Sequence, residues 1–249
     1  MTQPFRVGGL TMVNDVGPAE WVVAGVRDFR YDVGSLVPEG FPAYGRIFHP
    51  AGRRLGGTED VSAVRWADVA AANGRTAHPV MEWASITGGW QFLNGESQPG
   101  VWDEPPSTGS LPVQRAVDLA EVLARFTATP ERCWFGVWQG SGAPAWPQNT
   151  ARTFLMPHRP MGLFTGPLSA VTTSFDRPPF DQRAHLWWPQ DRAWCVATDV
   201  DLMTTYLGAE ADCINAVTRD PRLESTPAGV DQPITWDSDT VNPPLPAPH

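Results

Sequence analysis

Lysine is absent from this sequence, and all 18 basic residues are arginine. A chain without lysine forms no Schiff base, offers no phosphate-loop lysine and performs no protein-kinase catalysis. Pyridoxal phosphate chemistry is excluded with them. Cysteine is scarce: Cys133, Cys195 and Cys213 form an odd set with no close pair, as suits reduced thiols in a cytoplasm. No apolar run approaches the roughly 18 residues a membrane helix needs. The opening MTQPFRVGG lacks a basic stretch followed by an apolar one, so no secretory leader is expected and the expected compartment is the cytoplasm.

Motifs are missing too. There is no C-x-x-C and no H-E-x-x-H, and the five histidines are scattered. They read as loop or surface residues, so neither metal nor cofactor is expected. There is no G-x-S-x-G elbow. Residues 140–145, GSGAPA, fit G-x-G-x-x-A after a strand. The helix a dinucleotide site needs cannot start there, because Pro144, Trp146 and Pro147 oppose it. The 27 acidic residues leave a net charge of −9, which repels a phosphate backbone, so nucleic acid is not an expected partner.

What is present is tryptophan, twelve of them, and a hydrophobic content of 42% that excludes a disordered chain. Residues 186–207, LWWPQDRAWCVATDVDLMTTYL, hold three of those tryptophans and organise the reading. Residues 193–201 alternate as a buried central strand. Asp199 and Asp201, two apart, leave that strand on one face. Paired carboxylates suit acid/base work or a cation. The blander reading, and the more frequent one at strand ends, is a turn cap or an ion pair with an arginine such as Arg192.

Elsewhere the pattern predicts a hairpin from residues 5–13 and 21–26, and a short strand over 46–50. A loop is expected at 53–59, a helix over 63–72, and strands over 83–86 and 90–93 around a glycine turn. Residues 94–110 read as an internal boundary or a long functional loop. Residues 111–126 are the clearest helix, with Ser110 as N-cap. A strand over 133–138 is expected beside 194–201, another lies within 161–171, and Gly208 opens a helix to Arg219. Residues 234–236 suggest an edge strand. Residues 1–240 form one α+β domain, a mixed, mainly antiparallel sheet with about three packed helices. Residues 241–249 are a proline-rich tail.

Several blocks carry a resemblance. LWWP, DRAW, VATDVDL and DPRLE, with SLVPEGFPAYGRIFHPA, VRWADVAA and CWFGVW further back, resemble an uncharacterised family of actinobacterial proteins. That implies the blocks share one fold, and it brings no activity and no functional residue.

Two functions are expected from these features. In the first, the chain is a non-enzymatic cytoplasmic protein binding a protein partner through an acidic, tryptophan-bearing surface, as an immunity or inhibitor protein would. Indole faces stack on sugars and bases and attract cations. Trp66, Trp134 and Trp194 fit apolar patterns and belong to the core. Trp90, Trp102, Trp138, Trp146, Trp187 and Trp188 stand in or beside loops as candidates for an exposed surface, and Trp102, Trp146, Trp187 and Trp188, with Arg192, are the candidate binding residues. In the second, it is a carboxylate-dependent hydrolase with Asp199 and Asp201 at its centre and arginines holding a small anionic substrate. The discriminating feature is whether Asp199 and Asp201 line a concave pocket or cover a flat surface.

Overall fold

The computed structural model describes residues 4–54, 56, 60–140, 146–147, 152–178 and 180–243. Residues 141–145 of the glycine pattern, 57–59 of the expected loop and 244–249 of the expected tail lie outside them. In chain order the strands are β1 (Arg6–Val7), β2 (Leu10–Val13), β3 (Ala43–Phe48), β4 (Ala51–Arg54), β5 (Val61–Val64), β6 (Cys133–Trp138), β7 (Thr153–Met156), β8 (Arg159–Gly166), β9 (Leu186–Pro189), β10 (Trp194–Ala197), β11 (Thr204–Ala209) and β12 (Ser225–Ala228). The helices are α1 (Glu20–Gly25), α2 (Trp66–Ala72), α3 (Trp83–Thr87), α4 (Val113–Leu123) and α5 (Ala211–Thr218).

Ten strands make one sheet in the order β1-β2-β8-β6-β9-β10-β11-β3-β12, with β7 also on β8. Its pairings are antiparallel. The α+β architecture is therefore as expected, with five short α-helices among the described residues in place of three. Strands β9, β10 and β11 are buried along their whole length, because each presents apolar side chains to both faces. Trp187, Trp194, Val196 and Leu207 point to the side covered by α4 and α5, where Leu119, Leu123 and Val217 meet them. Trp188, Cys195, Ala197 and Tyr206 point to the other side, against Val22 of α1 and Val33 and Val37. A third cluster joins Phe48, Trp66, Trp83 and Trp102 beside the β4–β5 hairpin. Among the described residues no helix is long and apolar enough to cross a membrane.

The departures from expectation have local causes. Residues 20–25 form a helix rather than a strand, entered through a 3-10 turn at Gly17–Ala19 that carries Pro18. Residues 83–86 are helical, and the glycines after them end a helix: Gly88 is its left-handed C-terminal residue, φ 79°. Gly208 is a mid-strand residue of β11, where a Cβ would collide with Phe41 and Val37. The expected 63–72 helix begins only at Trp66, after β5. It is capped from afar: both oxygens of Glu224 accept backbone N–H groups, from Trp66 at 2.7 Å and Ala67 at 2.8 Å. Ser110 is not the N-cap of α4, a place Pro112 takes; its hydroxyl accepts the Arg183 N–H at 3.0 Å. Strand β6 does not pair with β10, since β9 lies between them. No edge strand forms at 234–236; Ile234 is held by a backbone bond from its N–H to Tyr31 at 2.9 Å. The folded chain runs past residue 240: buried Asn242 exchanges bonds with Thr76, accepting at 2.9 Å and donating at 3.0 Å.

Candidate functional site: an aromatic cleft

Strand β10 stops at Ala197, so Asp199 and Asp201 do not lie on a strand face. They sit in the turn to β11, where the Leu202 N–H closes on the Asp199 carbonyl at 3.1 Å. The Asp201 N–H donates to Asp199 Oδ1 at 3.0 Å. Their cationic partner is Arg159, at the start of β8. Its Nη2 donates to Asp199 Oδ1 at 3.1 Å and to Asp201 Oδ2 at 2.7 Å. The guanidinium also lies 5.2 Å from the Trp138 ring centroid. Asp199 is 8% exposed at its side chain and Asp201 78%, so the first is locked and the second faces solvent.

Both aspartates line a cleft of about 660 Å³. That is within the range of small-molecule sites. Six aromatic side chains line it as well: Phe29, Tyr31, Trp66, Trp83, Trp90 and Trp236. The loop after α1 supplies Phe29 and Tyr31, packed edge-to-face at 4.6 Å, with Tyr31 held at φ 58°. Trp90 and Trp236 meet edge-to-face at 4.7 Å, and Trp236 is 58% exposed.

Glu82, at the N-terminal edge of α3, is the third carboxylate of the lining. Its Oε1 accepts from Arg46 Nη2 at 2.7 Å and from the Ser238 hydroxyl at 3.1 Å. Burial pushes its carboxyl up to about 7 while Arg46 pulls against that rise. Arg46 itself is buried in β3, stacked 4.8 Å from the Phe48 ring centroid.

Beside the cleft is a small chamber of about 40 Å³, and the two share Phe29, Arg159 and Asp199 as walls. His185, just before β9, lines the chamber. The Trp138 backbone N–H donates to its Nδ1 at 3.2 Å. Its Nε2 is buried without a hydrogen-bond partner.

The other residues singled out from the sequence lie elsewhere. Trp102, Trp146, Trp187 and Trp188 are 0%, 4%, 3% and 1% exposed, so they are core and form no binding surface. Sheet and cluster burial overrode their loop-adjacent positions in the chain. Arg192 is exposed at φ 58° and lies 5.4 Å from the ring centroid of Trp21, not on Trp188 and not on the aspartates. Sequence reasoning missed Arg159, Glu82, His185, Tyr31 and Trp236. They come from five separate segments with no shared spacing, so only the folded chain brings them together. Among the described residues no group of three or more His, Cys, Asp and Glu gathers as a metal site would. Comparison with protein-family models, with curated proteins and with solved structures found no match to this chain.

Proposed function

We propose that the protein binds an organic cation in the aromatic cleft, either a free small molecule or a basic side chain presented by a protein partner. The observation behind this reading is the lining itself: three carboxylates and six aromatic rings face one arginine. An ammonium or guanidinium gains from both, since ring faces attract cations by about 0.5–2 kcal/mol depending on desolvation. The chain's net charge of −9 draws such a ligand toward the molecule. The acidic, tryptophan-bearing character expected for partner binding is kept, but in a concave cleft with Trp90 and Trp236 rather than on a face of Trp102, Trp146, Trp187 and Trp188. A small anionic substrate is the poorer fit, because Asp201 and Asp199 already occupy Arg159. Arg159 likewise ties the aspartates down as charge, which favours binding over hydrolysis.

The test is tryptophan fluorescence titrated with tetramethylammonium, with agmatine and with a terminally blocked arginine peptide, each against matched sodium chloride. Saturable responses are expected, weakened by about 2- to 30-fold in Trp236→Ala, the factor that 0.5–2 kcal/mol represents. A response to the peptide alone assigns the cleft to a protein partner, and one to the free cations assigns it to a small molecule. Silence from all three overturns the proposal.

A further inference from the structure

We infer that the ligand of this cleft also carries an uncharged oxygen acceptor, which enters the side chamber and takes a hydrogen bond from His185 Nε2–H. The inference rests on the cation-binding reading of the cleft and adds the second half of the ligand.

Its basis is a proton count. The Trp138 N–H points at Nδ1 of His185 over 3.2 Å, so Nδ1 presents its lone pair. A neutral imidazole has one proton, and it must then sit on Nε2. Burial, helped by the nearby Arg159 charge, pushes the ring down to about 4, so it is neutral at physiological pH. His185 is 4% exposed, and among the described residues its Nε2 has no hydrogen-bond partner. Folded chains seldom bury a donor that nothing accepts. The chamber that His185 lines offers about 40 Å³, room for one oxygen-bearing group and not for a second ring.

The acceptor is uncharged because of its other neighbours. Asp199 lines the same chamber and repels a carboxylate or phosphate. Arg159, the one arginine of that wall among the described residues, is already bonded to Asp199 and Asp201. An unanswered donor at the chamber beside a cation-attracting lining describes a hydroxyl- or carbonyl-bearing amine or quaternary ammonium.

The test compares choline with propyltrimethylammonium, in which a methyl replaces the hydroxyl at equal size, with tetramethylammonium as the reference cation. Water-to-protein transfer alone favours the propyl compound. Choline is expected to bind about tenfold more tightly than its isostere. In His185→Phe that ratio should fall to one or below. Should His185→Phe not fold, nitrogen-15 spectra of the parent provide the second reading. His185 must show a protonated Nε2, and that resonance must shift with choline and not with propyltrimethylammonium. Tetramethylammonium binding with no preference for choline overturns this inference and leaves the cleft reading standing. No response to choline or to tetramethylammonium overturns this inference, and silence from agmatine and the arginine peptide as well overturns the cleft reading.

Discussion

His49 and Thr205 are joined by a 2.9 Å hydrogen bond at Nε2 of the ring, across 156 residues of chain. The other ring nitrogen, Nδ1, lies 2.7 Å from the Ser107 carbonyl, which can only accept, so Nδ1 carries the proton. Nε2 therefore accepts the Thr205 hydroxyl. Thr205 in turn accepts the hydroxyl of Thr198, 2.7 Å away. The chain of donors has one direction from the turn after β10 to the loop before α4, and it works only with a neutral ring.

Acid should break it. Burial pushes His49 down to about 4, as it does His185. Both folded values lie below the unfolded imidazole's, so the unfolded chain binds the extra protons between about pH 4 and 6.5. The stability from these rings is complete above about pH 6.5 and is lost as pH falls toward about 4, by roughly 3 kcal/mol for each ring. Glu82 runs the other way: raised to about 7, its contribution is present at low pH and fades as pH climbs through that value. Urea denaturation should show a net loss on going from neutral pH to about 4.5, and His49→Gln should reduce the slope. A pH-independent midpoint in the parent would falsify the assignment.

Trp194 is fully buried in β10, its indole N–H donating to the Leu123 carbonyl of α4 at 3.2 Å. Its ring meets Trp187 at 5.5 Å. Trp194→Ala should cost roughly 3–5 kcal/mol in denaturant unfolding. A melting curve overlaying the parent's would show that α4 does not depend on this strand.

For the aspartates the expected outcomes differ between the two positions. Asp199 is locked between Arg159 and the Asp201 N–H, so Asp199→Asn should cost about 1–3 kcal/mol. Asp201 is 78% exposed, and Asp201→Asn should cost under about 1 kcal/mol. Equal losses in the two variants would mean that Arg159 does not discriminate between them.

Much of the fold was legible because burial leaves a mark on sequence. Val137, Trp194 and Val196 stand in apolar runs, and the stripe of α4 repeats at helical spacing. What was not legible depended on partners distant in sequence. Gly208 reads as a helix start until Phe41 is known to pack on it, and α2 has no local cap because Glu224 supplies one. The candidate site was half visible. Asp199 and Asp201 stood out as a pair, yet their arginine came from residue 159 and not from neighbouring Arg192. The aromatic lining was legible at loop-adjacent Trp90 and misassigned elsewhere for a related reason. Tryptophans beside loops, such as Trp102 and Trp188, were drawn inward by clusters assembled from the whole chain, while Trp236, at a presumed edge strand, was left on the rim.

The last prediction concerns Arg46 and Glu82, which form the most buried ion pair along the cleft. Arg46 is 1% exposed at its side chain and Glu82 12%, with 2.7 Å between them. Nη1 of Arg46 also donates to the carbonyls of Pro79 and Met81, at 3.2 Å and 3.0 Å, and its Nε is buried without a partner. Removing the carboxylate alone strands that charge in the core, so Glu82→Leu should cost about 3–5 kcal/mol. Arg46→Met alone leaves Glu82 with only the Ser238 hydroxyl and should also destabilise. The double variant removes both charges and should recover most of the loss, giving a coupling of at least about 2 kcal/mol in a double-mutant cycle. Additive single effects would mean that the pair contributes nothing as a pair. The double variant carries a second reading, because Glu82 faces the cleft and Arg46 stands behind it. A double variant as stable as the parent that has lost tetramethylammonium binding would show that the buried pair is kept for the charge it presents to the ligand and not for the fold.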